Sequence, residues 1–219
     1  SFYRTFRLAG EDESVREPTL DDLLALGDSA FDASWSAAEV IDVAQRERVR
    51  ALLRQGYEKL HSSLLNPVAF EQAIRFPYSP GGDAAGTGPH WFVAKIDRID
   101  ESPDGYRVVD YKTGKASKKL TEVKKSDLQF GIYAMAMRAY ASSGVDPLAA
   151  PAEGDIKVVG TVEDTETPAG SAEYWVLSTG ERGRVSFDEL AGNEPKLRET
   201  IDSAIAGMLA GVYPKGRGC

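Results

Sequence analysis

The stretch between Trp91 and Tyr133 limits the fold more than any other part of the chain. Two apolar runs within it, WFVAKIDRID and YRVVD, close on acidic residues and are joined by the segment ESPDG. Proline and glycine in a short polar segment between two such runs are typical of a tight turn. The sequence therefore predicts a β-hairpin, followed by a lysine-rich loop and then by a helix, SDLQFGIYAMAMRAY.

Charged residues interrupt both strands of this hairpin. Side chains alternate between the two faces of a strand, so Tyr106, Val108, Asp110 and Lys112 share one face. Asp97 lies thirteen residues before Asp110 and interrupts the partner strand. Two carboxylates that converge can hold a hard divalent cation, and a lysine beside them can polarise a phosphate or a water. We therefore expect Asp97, Asp110 and Lys112 to meet at one site.

The order of these motifs resembles one branch of a known nuclease superfamily. IDRID, VVDYKTGK and the segment from Gln129 to Tyr133 follow one another as in the RecB-type branch of the PD-(D/E)xK nucleases. That branch includes the nuclease domains of bacterial helicase–nuclease machines of the RecBCD, AddAB and AdnAB types. The resemblance covers about Glu71 to Tyr140 and implies a restriction-endonuclease-like core.

The resemblance also implies roles for the charged residues. Asp97 and Asp110 would ligate Mg²⁺ or Mn²⁺, joined by the backbone carbonyl of Tyr111. Lys112 would orient or activate the water and offset charge on the pentacovalent phosphate. Glu71 would be a further ligand or would position the water, although an acidic residue on an edge strand is also commonly just exposed.

Gln129 and Tyr133 are four residues apart on the predicted helix and therefore share one face. On packing grounds alone they are a surface glutamine and a core tyrosine. The resemblance instead puts both beside the cleft, where they would hold the nucleic acid and the lysine strand.

The charge of the chain is unevenly spread. The net charge of −8 argues against a protein that grips DNA over its whole surface. One local basic track lies between residues 112 and 125, with Lys112, Lys115, Lys118, Lys119, Lys124 and Lys125. Such a run is commonly a solvated loop, but an anionic substrate would approach the predicted site from this side. We expect Lys115, Lys118 and Lys119 to contact DNA.

The N-terminal third is predicted to be helical. Thr19-x-x-Asp22 has the form of a capping box and opens a short helix that ends near Gly27. A second capping box, Ser36-x-x-Glu39, opens a long helix that runs to about Leu65. We therefore divide the 219 residues into an N-terminal helical segment, 1–66, and a nuclease core, 67–219.

The nuclease core is predicted to be an α/β domain with a mixed central sheet flanked by helices. Strands are expected over 68–78, in the hairpin, and over 156–164 and 172–180, which makes five. Phe70, Ile74 and Phe76 are expected on one face of the first strand. Ser126 is expected to cap the helix after the lysine loop, and a final amphipathic helix begins at Glu194.

Two ligand types of the resembling nucleases lack a clear counterpart. Their metal-binding histidine lies on a helix well upstream of the glutamate, and neither His61 nor His90 matches that place. His61 follows Tyr57 by one turn, where packing or surface exposure is the ordinary explanation. Some of these nucleases hold an iron–sulfur cluster with four cysteines, and Cys219 sits where a C-terminal run of them would begin. It is either a free cysteine or a truncated cluster motif, so such a cluster could belong only to a longer parent chain.

The remaining sequence signals concern location. No apolar run approaches about 20 residues, which argues against a membrane span. A single cysteine excludes an internal disulfide and fits the reducing cytoplasm. The sequence starts without an initiator methionine, and we expect this beginning to be cut from, or processed out of, something longer.

Two classes of function follow. The first is a metal-dependent (exo)deoxyribonuclease, the module of a DNA-repair helicase–nuclease that acts on single-stranded DNA ends. The second is a binding module with the same fold that recognises DNA or a partner protein without cutting. A purely structural domain would have to carry three buried or half-buried charges without a use, which is costly.

Overall fold

The fold is given by a computed structural model that describes residues 19–34, 43–61, 66–143, 155–157 and 167–212. Two helices come first, α1 (Leu20–Ser34) and α2 (Val43–Leu60), followed by strands β1 (Pro67–Tyr78), β2 (His90–Ser102) and β3 (Gly105–Lys112). Then come α3 (Lys118–Thr121), α4 (Leu128–Ser142), β4 (Asp155–Lys157), β5 (Gly170–Val176) and β6 (Glu181–Ser186). Helices α5 (Phe187–Gly192) and α6 (Glu194–Leu209) follow, and a 3₁₀ turn, Gly82–Ala84, lies between β1 and β2. None of the helices in the described ranges is long and apolar enough to cross a membrane.

The strands form one mixed sheet in the order β4-β1-β2-β3-β5-β6. Antiparallel pairing joins β1 to β2, β2 to β3 and β5 to β6, whereas β4 runs parallel to β1 and β5 runs parallel to β3. The predicted mixed sheet flanked by helices is confirmed, and the structure adds a sixth strand, β6. Its polar sequence, ERGRVS, lacks the apolar run by which the other strands are recognised.

Helices cover both faces of the sheet. The larger core lies between the sheet and α4, α5 and α6, and includes Phe76, Ile96, Val108, Met137 and Ile201. A smaller cluster on the opposite face joins Leu60 of α2 to Val109 and Trp175 of the sheet. Helix α4 lies deepest, with ten residues buried. Its position between the sheet and α6 holds the residues near its N-terminus against the ends of the central strands.

Several local predictions need correction. The first helix does not end near Gly27 but continues to Ser34. Gly27 lies where α1 meets α2, since a Cβ there would come within 2.4 Å of Leu53. The glycine allows close helix packing and is not a terminator. The capping box before this helix is confirmed, because the Thr19 and Asp22 side chains accept from each other's backbone N–H.

The cap of α4 is Asp127, one residue after the predicted Ser126. Its carboxylate accepts a hydrogen bond from the backbone N–H of Phe130 at 3.1 Å. An aspartate at this position also complements the partial positive charge of the helix N-terminus. The lysine segment contains the short helix α3, whose Leu120 packs against the larger core. Ser36, the later part of the predicted strand 156–164 and Cys219 lie outside the described residues.

The strand β1 changes face in its middle, which the alternation rule did not predict. Its buried positions are odd-numbered up to Ala69 and even-numbered from Gln72 onward. The change occurs at Glu71, whose φ of 48° lies in the left-handed region. As a result Ile74 and Phe76 enter the larger core, but Phe70 lines a cavity on the opposite side of the sheet.

Candidate active site

Three acidic residues occupy adjacent register positions on three neighbouring strands. On β1 and β2, Phe70 pairs with Arg98 and Gln72 with Ile96, so Glu71 lies across from Asp97. On β2 and β3 the ladder ends at the pair Arg98 and Val109, and the next pair would be Asp97 and Asp110. Asp97 therefore occupies the centre of an acidic row at the point where β2 and β3 part.

At the end of the β2–β3 ladder, the Asp97 side chain takes the place of a backbone hydrogen-bond partner. Asp97 Oδ2 accepts a hydrogen bond of 2.9 Å from the backbone N–H of Tyr111. The N–H and C=O of one strand residue point to the same neighbouring strand. The backbone carbonyl of Tyr111 is therefore turned to the side on which Asp97 lies.

The ionised form of Asp97 is disfavoured by its surroundings. Burial raises the pKa of Asp97 above its ordinary value, and the negative charges of Asp110 and Glu71 raise it further. The Tyr111 N–H and the Lys112 ammonium act in the opposite direction but do not cancel these effects. A cation bound between the carboxylates would remove the repulsion.

Asp110 is held by a network of polar groups from α4 and β3. Only 5% of the residue is exposed. Its Oδ1 accepts hydrogen bonds from the Gln129 amide and, at 3.3 Å, from the Tyr133 hydroxyl. Its Oδ2 is buried and accepts no hydrogen bond from the described residues, although Lys112 Nζ approaches it to 2.6 Å as an ion pair.

The helix residues Gln129 and Tyr133 thus lie at the site, next to the lysine strand. Gln129 Nε2 donates to the Tyr133 hydroxyl at 2.9 Å, and Gln129 Oε1 is 3.5 Å from Lys112 Nζ. The structure adds Tyr174, which sequence analysis missed. Its hydroxyl is 3.2 Å from Gln129 Oε1, and the Lys112 ammonium lies 4.9 Å from its ring centre. Burial and nearby carboxylates raise the pKa of both tyrosines, so both hydroxyls stay protonated at neutral pH.

Glu71 is at the rim of the site and faces outward. Its Oε2 lies 2.8 Å from Lys95 Nζ, and both side chains are largely exposed. The left-handed backbone of Glu71 is unusual for a residue with a Cβ, and such strain is concentrated at functional sites. The structure therefore places Glu71 beside Asp97 in register while directing its carboxylate toward a lysine.

The donor atoms fit a hard divalent cation in part. Within the described ranges no three histidine, cysteine, aspartate or glutamate side chains are grouped so as to hold a metal ion. The Asp97 and Asp110 carboxylates and the nearby Tyr111 carbonyl nevertheless form an all-oxygen set, the type that Mg²⁺ and Mn²⁺ prefer. Asp110 Oδ2 in this set is buried and ion-paired with Lys112. Water would complete such a coordination shell.

A groove of about 490 Å³ leads to the helix side of the site. Lys95, Lys119, Gln129, Tyr133 and Tyr174 line it. The edge of β2 that borders it has no partner among the described strands before Arg98, because pairing with β3 begins there. Of the three lysines expected to contact DNA, Lys119 lines this groove, and Lys115 and Lys118 are exposed nearby in the chain.

A second cavity, of about 320 Å³, opens on the other face of the sheet. His61 lines it together with Glu71 and Asp97, and the ring of His61 stacks on Tyr57 at 4.4 Å between centroids. From the sequence, His61 is expected to be a packing or surface residue. The structure places it in the lining of the same cavity as Glu71 and Asp97. His90 lies at the far end of β2, where it pairs with Tyr78.

The sequence model of the PD-(D/E)XK nuclease superfamily matches residues 2–219. This chain belongs to that superfamily, whose members are typically metal-dependent nucleases. A comparison with curated proteins gives no significant match.

Replacing Asp97 by asparagine tests the electrostatic description. An acid whose pKa is raised on folding binds its proton more tightly in the folded state, so the stability of the wild type falls as pH rises from 3.8 through the raised pKa. Asp97→Asn lacks this loss and can still accept the Tyr111 N–H. We expect its melting temperature at pH 7.5 in EDTA to exceed that of the wild type, with the difference closing toward pH 3.

Glu101→Gln is the matched control, because Glu101 is exposed on the same strand. Scanning calorimetry or a dye-based melt at several pH values makes the comparison. An Asp97→Asn variant that melts below the wild type at pH 7.5 would contradict the account and would indicate that the carboxylate stabilises the fold.

Proposed function

We propose that this chain is a RecB-like, Mg²⁺- or Mn²⁺-dependent deoxyribonuclease that hydrolyses phosphodiester bonds of single-stranded DNA ends. The observation that carries the proposal is the arrangement of Asp97, Asp110 and Lys112 at the end of the β2–β3 ladder, beside a groove lined with lysines. Superfamily membership supports the reaction class. The order of the IDRID, VVDYKTGK and Gln129-to-Tyr133 motifs supports the RecB-like branch.

Each residue has a chemical task in this proposal. Asp97, Asp110 and the Tyr111 carbonyl would hold the cation, and Glu71, which pairs with Lys95, would be a further ligand or would position the water. When bound, the cation acts as a Lewis acid on the phosphate and lowers the pKa of the attacking water. Lys112 offsets the negative charge that builds on the phosphate.

The polar groups of α4 keep these parts in place. Gln129 contacts both Asp110 and Lys112, so it fixes the carboxylate and the ammonium relative to each other. The Tyr133 hydroxyl shares its one proton between Asp110, at 3.3 Å, and the Lys95 backbone carbonyl, at 2.8 Å, which ties the same network to β2. Positioned groups of this kind lose little entropy when the substrate reacts.

The groove accounts for how an acidic protein accepts DNA. Lys119 lines the groove, and the exposed Lys115 and Lys118 lie near it in the chain; together they provide positive charge there, whereas the chain as a whole carries −8. A local field of this kind guides a phosphate backbone to one side of the molecule. The preference for single-stranded ends rests on the motif resemblance. The helicase–nuclease setting, the DNA-repair role and the cytoplasmic location belong to the same proposal and rest on the motif resemblance.

Asp110→Asn tests catalysis. The substitution keeps the shape of the side chain and removes the charge that a cation needs, so we expect Mg²⁺- or Mn²⁺-dependent cleavage of end-labelled single-stranded DNA to fall by at least about 100-fold. Asp188→Asn, at an exposed aspartate of α5, should cut like the wild type. Product lengths over time separate stepwise removal of nucleotides from internal cuts.

Two outcomes would contradict the proposal. An Asp110→Asn variant that cuts like the wild type would show that the acidic row is not the catalytic centre. A wild-type protein that binds DNA but cuts neither single-stranded nor double-stranded substrate would instead identify a binding module.

The salt dependence of DNA binding tests the lysine groove. We expect Lys118→Gln/Lys119→Gln to weaken binding of a single-stranded oligonucleotide and to lower the slope of log affinity against log salt by about 0.7 for each lost phosphate contact. Lys124→Gln/Lys125→Gln is the matched control, because it removes the same charge from the same segment but outside the groove lining, where Lys125 is near Glu189 of α5. We expect this control to keep the wild-type salt slope. Fluorescence anisotropy at several salt concentrations measures the affinity of both double variants. Equal slopes of log affinity against log salt in the two variants would show that DNA does not bind along the groove.

A further inference from the structure

Arg98 is a cation enclosed within the protein, next in sequence to Asp97. Its side chain is fully buried, with 0% exposed. Two of its nitrogens donate to the two carboxylate oxygens of Asp100, each at 2.6 Å. A third nitrogen, Nη1, donates to the Tyr111 hydroxyl at 2.9 Å, and the guanidinium lies 4.5 Å from the ring centre of Trp175.

A buried ion pair of this kind contributes little net stability compared with apolar residues of the same volume, because both charges lose their hydration. What the guanidinium supplies is geometry, since its planar fork fixes several partners in set directions. Asp100 binds two nitrogens of the fork, and the remaining nitrogen, Nη1, donates to Tyr111. The arrangement therefore specifies the position of the Tyr111 side chain more than it stabilises the fold.

Tyr111 connects this pair to the acidic row. It lies between Asp110 and Lys112 in the chain, and its backbone N–H donates to Asp97. The β2–β3 ladder ends at Arg98 and Val109, so no further ladder pair sets the distance between Asp97 and Asp110. Beyond the last ladder pair, two hydrogen bonds still join β2 to Tyr111 of β3. The Asp97 carboxylate accepts from the Tyr111 backbone N–H, and Arg98 donates to the Tyr111 hydroxyl.

Trp175 completes the clamp from the neighbouring strand β5. Its ring packs edge-on against the Tyr111 ring, with centroids 6.0 Å apart. Its indole N–H donates to Glu173 at 2.8 Å, which fixes the orientation of the indole. The Tyr111 side chain is thus held along its ring and at its hydroxyl.

We propose that Arg98 is a positioning residue of the active site, which acts through the Tyr111 hydroxyl to set the spacing of Asp97 and Asp110. The inference rests on the proposed nuclease function. Because none of its side chain is exposed, Arg98 would touch neither the substrate nor the cation, and its effect would pass through β3. Partners that orient metal ligands in this way commonly account for about 10- to 100-fold in metal affinity or activity.

Tyr111→Phe is the decisive variant, because it removes one hydroxyl and leaves the Arg98–Asp100 pair, the ring and the backbone unchanged. We expect kcat on single-stranded DNA to fall about 10- to 100-fold, with KM little changed, and Mn²⁺ affinity measured by calorimetry to fall as well. Arg98→Lys keeps the charge and loses the fork, and should show the same two effects.

Arg182→Lys is the matched control. Arg182 also lies over the Trp175 ring, at 4.6 Å, and donates to the backbone carbonyl of Leu60 rather than to Tyr111. We expect its kcat and Mn²⁺ affinity to equal those of the wild type. Melting temperatures of all variants separate a positioning effect from a loss of fold, and Tyr111→Phe remains informative if Arg98→Lys does not fold.

The outcomes distinguish this inference from the proposed function. A folded Tyr111→Phe variant with wild-type kcat and wild-type Mn²⁺ affinity would overturn the positioning role and leave the nuclease proposal intact. A wild type that binds Mn²⁺ without cutting DNA would overturn the nuclease proposal, and the Mn²⁺ affinities alone would then decide the role of Arg98. A wild type that neither cuts nor binds Mn²⁺ overturns both.

Discussion

The hydrogen bond from the Tyr111 N–H to Asp97 is the contact on which the site depends. Asp97 lies between Asp110 and Glu71, and burial and both neighbours disfavour its charge. The Tyr111 N–H, at 2.9 Å from Oδ2, favours the ionised form and ties the carboxylate to β3. The bond is available because β2–β3 pairing ends at Arg98 and Val109. The Tyr111 backbone, two residues further along β3, therefore has no pairing partner on β2. The end of pairing between β2 and β3 is therefore what allows the site to form.

Contacts on both faces of the sheet hold the residues of this site in place. On the α4 face, Gln129 and Tyr133 fix Asp110 through hydrogen bonds. On the α2 face, Arg98 and Trp175 fix the Tyr111 side chain. Residues 110, 111 and 112 alternate between these faces, so each consecutive side chain is constrained from a different direction. A short strand end can in this way place a carboxylate, a carbonyl and an ammonium within one small volume.

Much of the site could be predicted from sequence because it depends on local alternation. Asp110 and Lys112 are two residues apart on one strand, and Gln129 and Tyr133 are one helical turn apart. The turn segment ESPDG fixed the hairpin and hence brought Asp97 near. Each of these inferences needs only a short window and a regular period.

The rest depends on contacts between distant segments or on broken regularity. Tyr174 enters the site because β5 pairs parallel to β3 after a long connection, which no local pattern reveals. Phe70 was assigned to the wrong face because the left-handed Glu71 interrupts the alternation. Arg98 looks like an exposed charge in a strand pattern, and its burial becomes evident only with Asp100, Tyr111 and Trp175 around it.

The position of a bound metal ion would test the proposed metal site without any measurement of activity. A crystal structure of the protein soaked in Mn²⁺, with anomalous differences collected, locates the ion without reference to activity. We expect a peak between the carboxylates of Asp97 and Asp110, within about 2.0–2.6 Å of an oxygen from each and close to the Tyr111 carbonyl. A peak elsewhere, or Asp97 and Asp110 carboxylates too far apart to share an ion, would contradict it.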